Sequence, residues 1–199
     1  MSTSLKTEQV PAARAQLTGD LAMWIFILAE LAAFSLFILA FSFTQWLKPE
    51  LFIEGRAQLD SSTGWAMTAG LLTSGFLAAL AVDRVRKDHA RQAGVLLVGA
   101  IISGMLYVVL KVSEYAHLAN AGFDLEYNTF FTLYWLTTAF HFLHVLLGLV
   151  VLAILCVLCL RGRFGAHKYT GVESGVLYWH MIDLVWVIIF PLVYLLGSP

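Results

Sequence analysis

Apolar residues run almost unbroken through five stretches of this chain, at about 21–47, 64–82, 93–113, 128–160 and 174–196, with short polar segments between them. A hydrocarbon core about 30 Å thick takes roughly 20 helical residues to cross, and each stretch has the length and polarity to do so. The pattern predicts an all-α fold: a polytopic membrane protein built as a bundle of five transmembrane helices. The first stretch carries one charge, Glu30, exceeds a signal-peptide core in length and is followed by no small-residue cleavage site. In the fourth, residues 127–160 contain no Asp, Glu, Lys or Arg. As a helix that segment would be about 51 Å long, too short for two crossings and a turn, so it reads as one helix overshooting the bilayer. Residues 1–18 are expected to form a flexible cytoplasmic amino terminus, and 19–199 a single membrane domain.

Composition strengthens the membrane assignment. Hydrophobic residues make up 60% and charged residues 13%, against about 45–50% and about 25% in soluble domains; the mean hydropathy is +0.81. A net charge of −1 argues against a nucleic-acid partner. Cys156 and Cys159 lie three apart in an apolar run, which excludes a disulfide framework, and they read as small hydrophobes.

Basic residues set the expected orientation. Arg84, Arg86, Lys87 and Arg91 follow the second span, and Arg161, Arg163 and Lys168 follow the fourth; the loop after the third holds Asp124 and Glu126. Positive-inside places the two basic loops and the amino terminus (Lys6, Arg14) in the cytoplasm and Pro199 outside. Gly70, Ser74 and Ala78 recur every four residues on the second span, with Gly75 and Ala79 beside them, a row that lets helix backbones approach in lipid.

Ionisable side chains inside the spans are the candidates for chemistry, because each is costly unless paired or neutralised. Glu30 lies about 13 Å into the first span, among Met23, Phe26, Phe34, Phe37 and Phe41, and nothing on its own helix can pair with it. It reads either as a carboxyl bonded to a neighbouring helix or as a group handling protons or contacting another subunit. Tyr134, Thr137, His141, His144 and Gly148 share one face of the fourth span. His141 and His144 have metal-ligand spacing but no third ligand on that face, so hydrogen-bonded structural histidines are the other reading and no metal site is assigned. Glu173, His180 and Asp183 follow one side of the fifth span, with Tyr178, Trp179 and Trp186 turned away. Lys111 and Glu114, with Tyr107, sit near the outer end of the third span, where a snorkelling interfacial pair competes with any function.

Taken together, these segments resemble subunit III of the haem-copper oxidases. The resemblance rests on Gly19-Asp20 and Trp24 to Glu30, on Leu71-Leu72-Thr73-Ser74-Gly75, on Lys111-Val112-Ser113-Glu114-Tyr115, and on Phe140-His141-Phe142-Leu143-His144-Val145. The most specific block is Glu173-Ser174-Gly175-Val176-Leu177-Tyr178-Trp179-His180-Met181-Ile182-Asp183-Leu184-Val185-Trp186. The chain is similar to the family's short five-helix form. The two helices that precede the matching segment in long members, forming one wall of a lipid cleft, are expected to be missing. Among short forms it is most similar to the subunit III-like accessory proteins of nitric oxide reductase, with quinol-oxidase subunits III next.

The resemblance implies a non-catalytic subunit that packs beside the large catalytic subunit, binds phospholipid, supports proton uptake and protects the complex from inactivation. It binds no cofactor directly, the haem and the copper or iron belonging to the partner subunit. Glu30 matches the family's intramembrane carboxylate, and His141, His144, Glu173, His180 and Asp183 its other polar intramembrane positions. Two readings from other classes stand beside it. One is a free-standing transporter or proton channel using Glu30, His141 and Asp183; the other is a small membrane metalloenzyme using His141, His144 and a carboxylate.

Overall fold

A computed structural model describes residues 21–165 and 168–196. The expected flexible stretch 1–18, Gly19-Asp20, His167 and Pro199 lie outside the described residues.

Among the described residues, six α-helices follow one another: α1 (Leu21–Leu47), α2 (Pro49–Arg56), α3 (Ser61–Arg86), α4 (Ala90–Asn120), α5 (Thr129–Leu160) and α6 (Thr170–Phe190), the last continued by a π-turn over Pro191–Leu195. Among the described residues, five of these are long and apolar enough to cross a membrane: α1, α3, α4, α5 and α6 with its π-turn. Three of them, α3, α4 and α6, start or end beyond their apolar stretches because the flanking polar residues stay helical. α3 starts at Ser61, where the Asp60 carboxylate accepts the backbone N–H groups of Ser62 (3.0 Å) and Thr63 (3.1 Å). α5 starts behind Asn128, whose side chain accepts from the Phe131 N–H. α4 and α5 end on Gly122 (φ 82°) and Gly162 (φ 66°), whose left-handed backbone closes the last turn by 6→1 bonds from Phe123 to Leu118 and from Arg163 to Leu158. α5 is one continuous 32-residue helix, about 48 Å long.

Two features are absent from the hydropathy pattern. Residues 48–63 are mixed in polarity, yet Pro49 opens the short helix α2, which turns Phe52 and Arg56 inward. Phe52 packs edge-on against Phe41 and Phe130, tying α2 to α1 and α5. At the end of α6, Pro191 has no N–H for the helical ladder, and the chain widens into a π-turn closed by Leu196 N–H to Pro191 O.

The helices α3, α4, α5 and α6 form the body, each packed on the next, with α6 also closing on α3. The small-residue row performs its expected packing role. Ser74 Oγ donates to Ala100 O (2.6 Å) and Ser103 Oγ donates back to Gly70 O (2.8 Å), with Ala78 fully buried between α3 and α4. Gly148 on α5 receives the Trp179 indole of α6, where a Cβ would lie 2.6 Å from the ring. α1 is peripheral. It touches α5 and α6 and buries only Ile27, Phe34 and Phe41, one residue every seven.

Candidate functional site

The intramembrane polar residues fall into separate centres. The first joins α1 to α5. Glu30 Oε2 lies 2.9 Å from His144 Nε2, and His144 Nδ1 lies 2.7 Å from Phe140 O. The rings of Phe34 and Phe140 flank the imidazole at 5.0 and 4.6 Å. A carbonyl only accepts, so Nδ1 carries a hydrogen. Nε2 then either accepts from a protonated Glu30 or, as imidazolium, donates to a carboxylate. Both forms leave one proton shared in a pair that is neutral overall, which suits a lipid-facing seam. The partner that α1 itself does not offer is thus on α5.

His141, one turn away, belongs to a different set. It is fully buried, with Nδ1 3.1 Å from the Tyr107 hydroxyl and Nε2 3.2 Å from Ile182 O. The Nε2–H is given to the carbonyl, so Nδ1 of the uncharged ring accepts the Tyr107 O–H. The two histidines therefore have different partners and are not turned toward a common ion. Among the described residues, no three His, Cys, Asp or Glu side chains gather as metal ligands do. Among the described residues, no hydrogen bond joins Glu30, His141 and Asp183 to one another: Glu30 meets His144, His141 meets Tyr107 and Ile182, and Asp183 lies nearest His180.

Lys111 differs most from its expected place. It does not snorkel: the side chain is 0% exposed, in the middle of the bundle. Its three ammonium hydrogens match three acceptors, Glu114 Oε1 (2.7 Å), Tyr134 Oη (3.0 Å) and Tyr194 Oη (2.9 Å). Both tyrosines donate in turn to the Glu114 carboxylate. The rings of Tyr115, Tyr134, Trp186 and Tyr194 surround the ammonium at 4.8–5.7 Å. This cage draws on α4, α5, α6 and the π-turn. Tyr134, Tyr115 and Tyr194 were not singled out as its members by sequence, because the i, i+3 spacing signals only Lys111 and Glu114.

On α6, Glu173 is buried and pairs with Arg86 at the end of α3, with Arg86 Nε 2.8 Å from Oε1 and its guanidinium over the Tyr169 ring. His180 and Asp183 are neighbours on the α3 side, with Nδ1 and Oδ2 3.7 Å apart. Trp179 and Trp186 point elsewhere, Trp179 into α5 and Trp186 to the Thr68 hydroxyl (3.0 Å) and the Tyr107 ring. The arrangement can hold protons and charges at fixed places between helices.

Comparison with known proteins places the sequence in a family. The sequence profile of cytochrome c oxidase subunit III matches residues 12–198. A probable quinol oxidase subunit 3 of Staphylococcus saprophyticus is 28% identical over 185 residues, covering 90% of this chain and 89% of the relative. A cytochrome c oxidase subunit 3 of Thermostichus vulcanus is 31% identical over 127 residues, 63% of this chain and 62% of the relative. A haem-copper oxidase subunit I+III of Aeropyrum pernix is 29% identical over 180 residues, 87% of this chain. The chain spans only 22% of that archaeal protein. With five membrane-crossing helices among the described residues and a family match over nearly its whole length, this chain belongs to the cytochrome c oxidase subunit III family of the haem-copper oxidases.

Proposed function

We propose that this protein is the non-catalytic subunit of a haem-copper respiratory oxidase, seated beside the catalytic large subunit, which carries the haem and copper. The match of the family profile over residues 12–198 carries this reading. The relative named subunit I+III supports the same partner, because its name joins the two subunits in one chain. The relatives reported above are named for cytochrome c and quinol oxidases, so an oxidase partner comes ahead of a nitric oxide reductase. The transporter reading draws no support from Glu30, His141 and Asp183, whose partners differ.

In this reading the internal cages stabilise the subunit, phospholipid covers its apolar outer faces, and the Glu30–His144 proton supports proton uptake by the partner. The basic end of α3 and the basic loop after α5 face the cytoplasm of a bacterial inner membrane, with the amino terminus inside and the carboxyl terminus outside. Purification of the tagged chain in mild detergent tests the assignment. A haem-containing oxidase is expected to co-purify, and the chain stripped from it is expected to be colourless. Stoichiometric haem or copper in the stripped chain, or a nitric oxide reductase as the sole haem partner, would overturn the corresponding part. Glu30→Gln keeps shape and hydrogen bonding, so normal assembly with faster loss of turnover is expected. An unchanged turnover lifetime removes the proton role.

A further inference from the structure

α3 and α6 meet along a seam with two shallow cavities that share His180. One, of about 360 Å³, lies between Leu72, Phe76, Leu184 and Val187, around His180 and Asp183. The other, of about 180 Å³, continues past Ala79 and Val176 to Glu173. From Glu173 to Val187 the groove follows α6 for about 21 Å, most of a hydrocarbon core. Its rim is apolar: Phe76 is 63% exposed, and Leu72 and Leu184 are exposed as well.

Its centre is polar. Asp183 is 6% exposed, and its Oδ1 is buried without a hydrogen-bond partner among the described residues. Its Oδ2 has only His180 Nδ1, at 3.7 Å, beyond hydrogen-bond reach. The absence of a side chain at Gly75 makes room for this carboxyl, since a Cβ there would collide with Oδ2. His180 is 42% exposed although it sits mid-way along a membrane-crossing helix. Acyl chains could fill such a groove but offer no donor to a carboxylate, and polar groups left unmet in hydrocarbon are costly.

We infer that this groove seats a transmembrane helix of the catalytic oxidase subunit, one that carries a hydrogen-bond donor at the depth of Asp183. The inference rests on the accessory role proposed above. The incoming apolar helix covers Leu72, Phe76 and Leu184, and its donor meets His180 and the Oδ2 edge of Asp183, closing the polar centre from the side that faces lipid in the isolated chain.

Photo-crosslinking in native membranes tests it. A benzophenone side chain is placed at Leu72 or Leu184 on the rim, and for comparison at Leu36 on α1 or Ile102 on α4, all exposed. Adducts to the catalytic subunit are expected to be several-fold more abundant from the two rim positions. Equal yields from all four positions, rim adducts only to lipid, or rim adducts only to a second copy of this chain overturn the placement. Adducts from Leu36 or Ile102 alone overturn it while leaving the accessory role intact; adducts to a catalytic subunit from none of the four count against the role itself. In parallel, Asp183→Leu is expected to lower the catalytic subunit recovered per chain several-fold, and Asp183→Asn, which retains an acceptor, much less. Full recovery with Asp183→Leu at normal chain abundance contradicts the inferred contact; should that variant not accumulate, the crosslinks decide.

Discussion

Asp60 shows how one side chain outside the membrane fixes a helix inside it. Its carboxylate accepts from the first backbone N–H groups of α3 and from the Ser62 and Thr63 hydroxyls. These bonds favour the charged form and hold the carboxyl down at about 2. A depressed carboxyl contributes stability at pH values above its ordinary 3.8, and the contribution is lost as pH falls through about 2. The thermal midpoint of the detergent-solubilised protein is therefore expected to fall between pH 4 and 2 by less in Asp60→Asn than in the wild type. At neutral pH, Asp60→Ala is expected to cost about 1 kcal/mol, measured by the same unfolding. Arg56 acts at the far end of α6. Buried to 5% exposure, it donates to Leu192 O (2.9 Å) and Val193 O (3.2 Å) in the π-turn. Arg56→Gln removes a charged donor from two carbonyls and is expected to lower unfolding stability by about 2 kcal/mol.

Between elements, the Lys111 cage does for α4, α5 and α6 what small residues do for α3 and α4. The glycine and serine row brings two backbones close enough for reciprocal hydroxyl-to-carbonyl bonds. The cage instead ties three elements through one ammonium and one carboxylate that satisfy each other and two tyrosines. Removing one partner leaves the other charge buried and unmatched, whereas removing both does not. Lys111→Met is expected to destabilise the protein by about 3–5 kcal/mol. The pair Lys111→Met with Glu114→Gln should recover part of that loss. Denaturant titration of the four members of this cycle measures it, and strict additivity would mean that the two groups do not act as a pair.

Across the whole molecule, packing is uneven. α6 buries far more of its surface than α1, whose fully buried residues are a single stripe of Ile27, Phe34 and Phe41 with the Glu30–His144 bond beside it. The weakest-held crossing helix should open first, because few buried contacts oppose its separation. Hydrogen exchange is expected to rise in α1 before the other spans on gentle heating. Phe34→Ala should widen that gap while leaving protection in α3, α4, α5 and α6 unchanged; uniform loss of protection would show that α1 is an integral part of one cooperative unit.

Five crossings, the unbroken fourth crossing (α5) and the small-residue contact between α3 and α4 were legible in the sequence, because length, hydropathy and fourfold spacing are local quantities. The charged and histidine members of the polar centres inside the spans were legible too, since ionisable groups stand out in apolar runs, whereas the tyrosines around Lys111 were not. Their pairing was not. Glu30 reaches His144 rather than His141, a choice set by how α1 is rotated against α5. Lys111 turns inward because Tyr134 and Tyr194, from segments distant in sequence, supply the acceptors that make a buried ammonium tolerable. The short helix α2 and the π-turn escaped the hydropathy pattern for a related reason: each is stabilised by what it packs on, Phe52 on Phe41 and Phe130, and the π-turn carbonyls on Arg56. Hydrophobicity along the chain decided which segments enter the membrane, and helix rotation within the bundle decided which charges meet there.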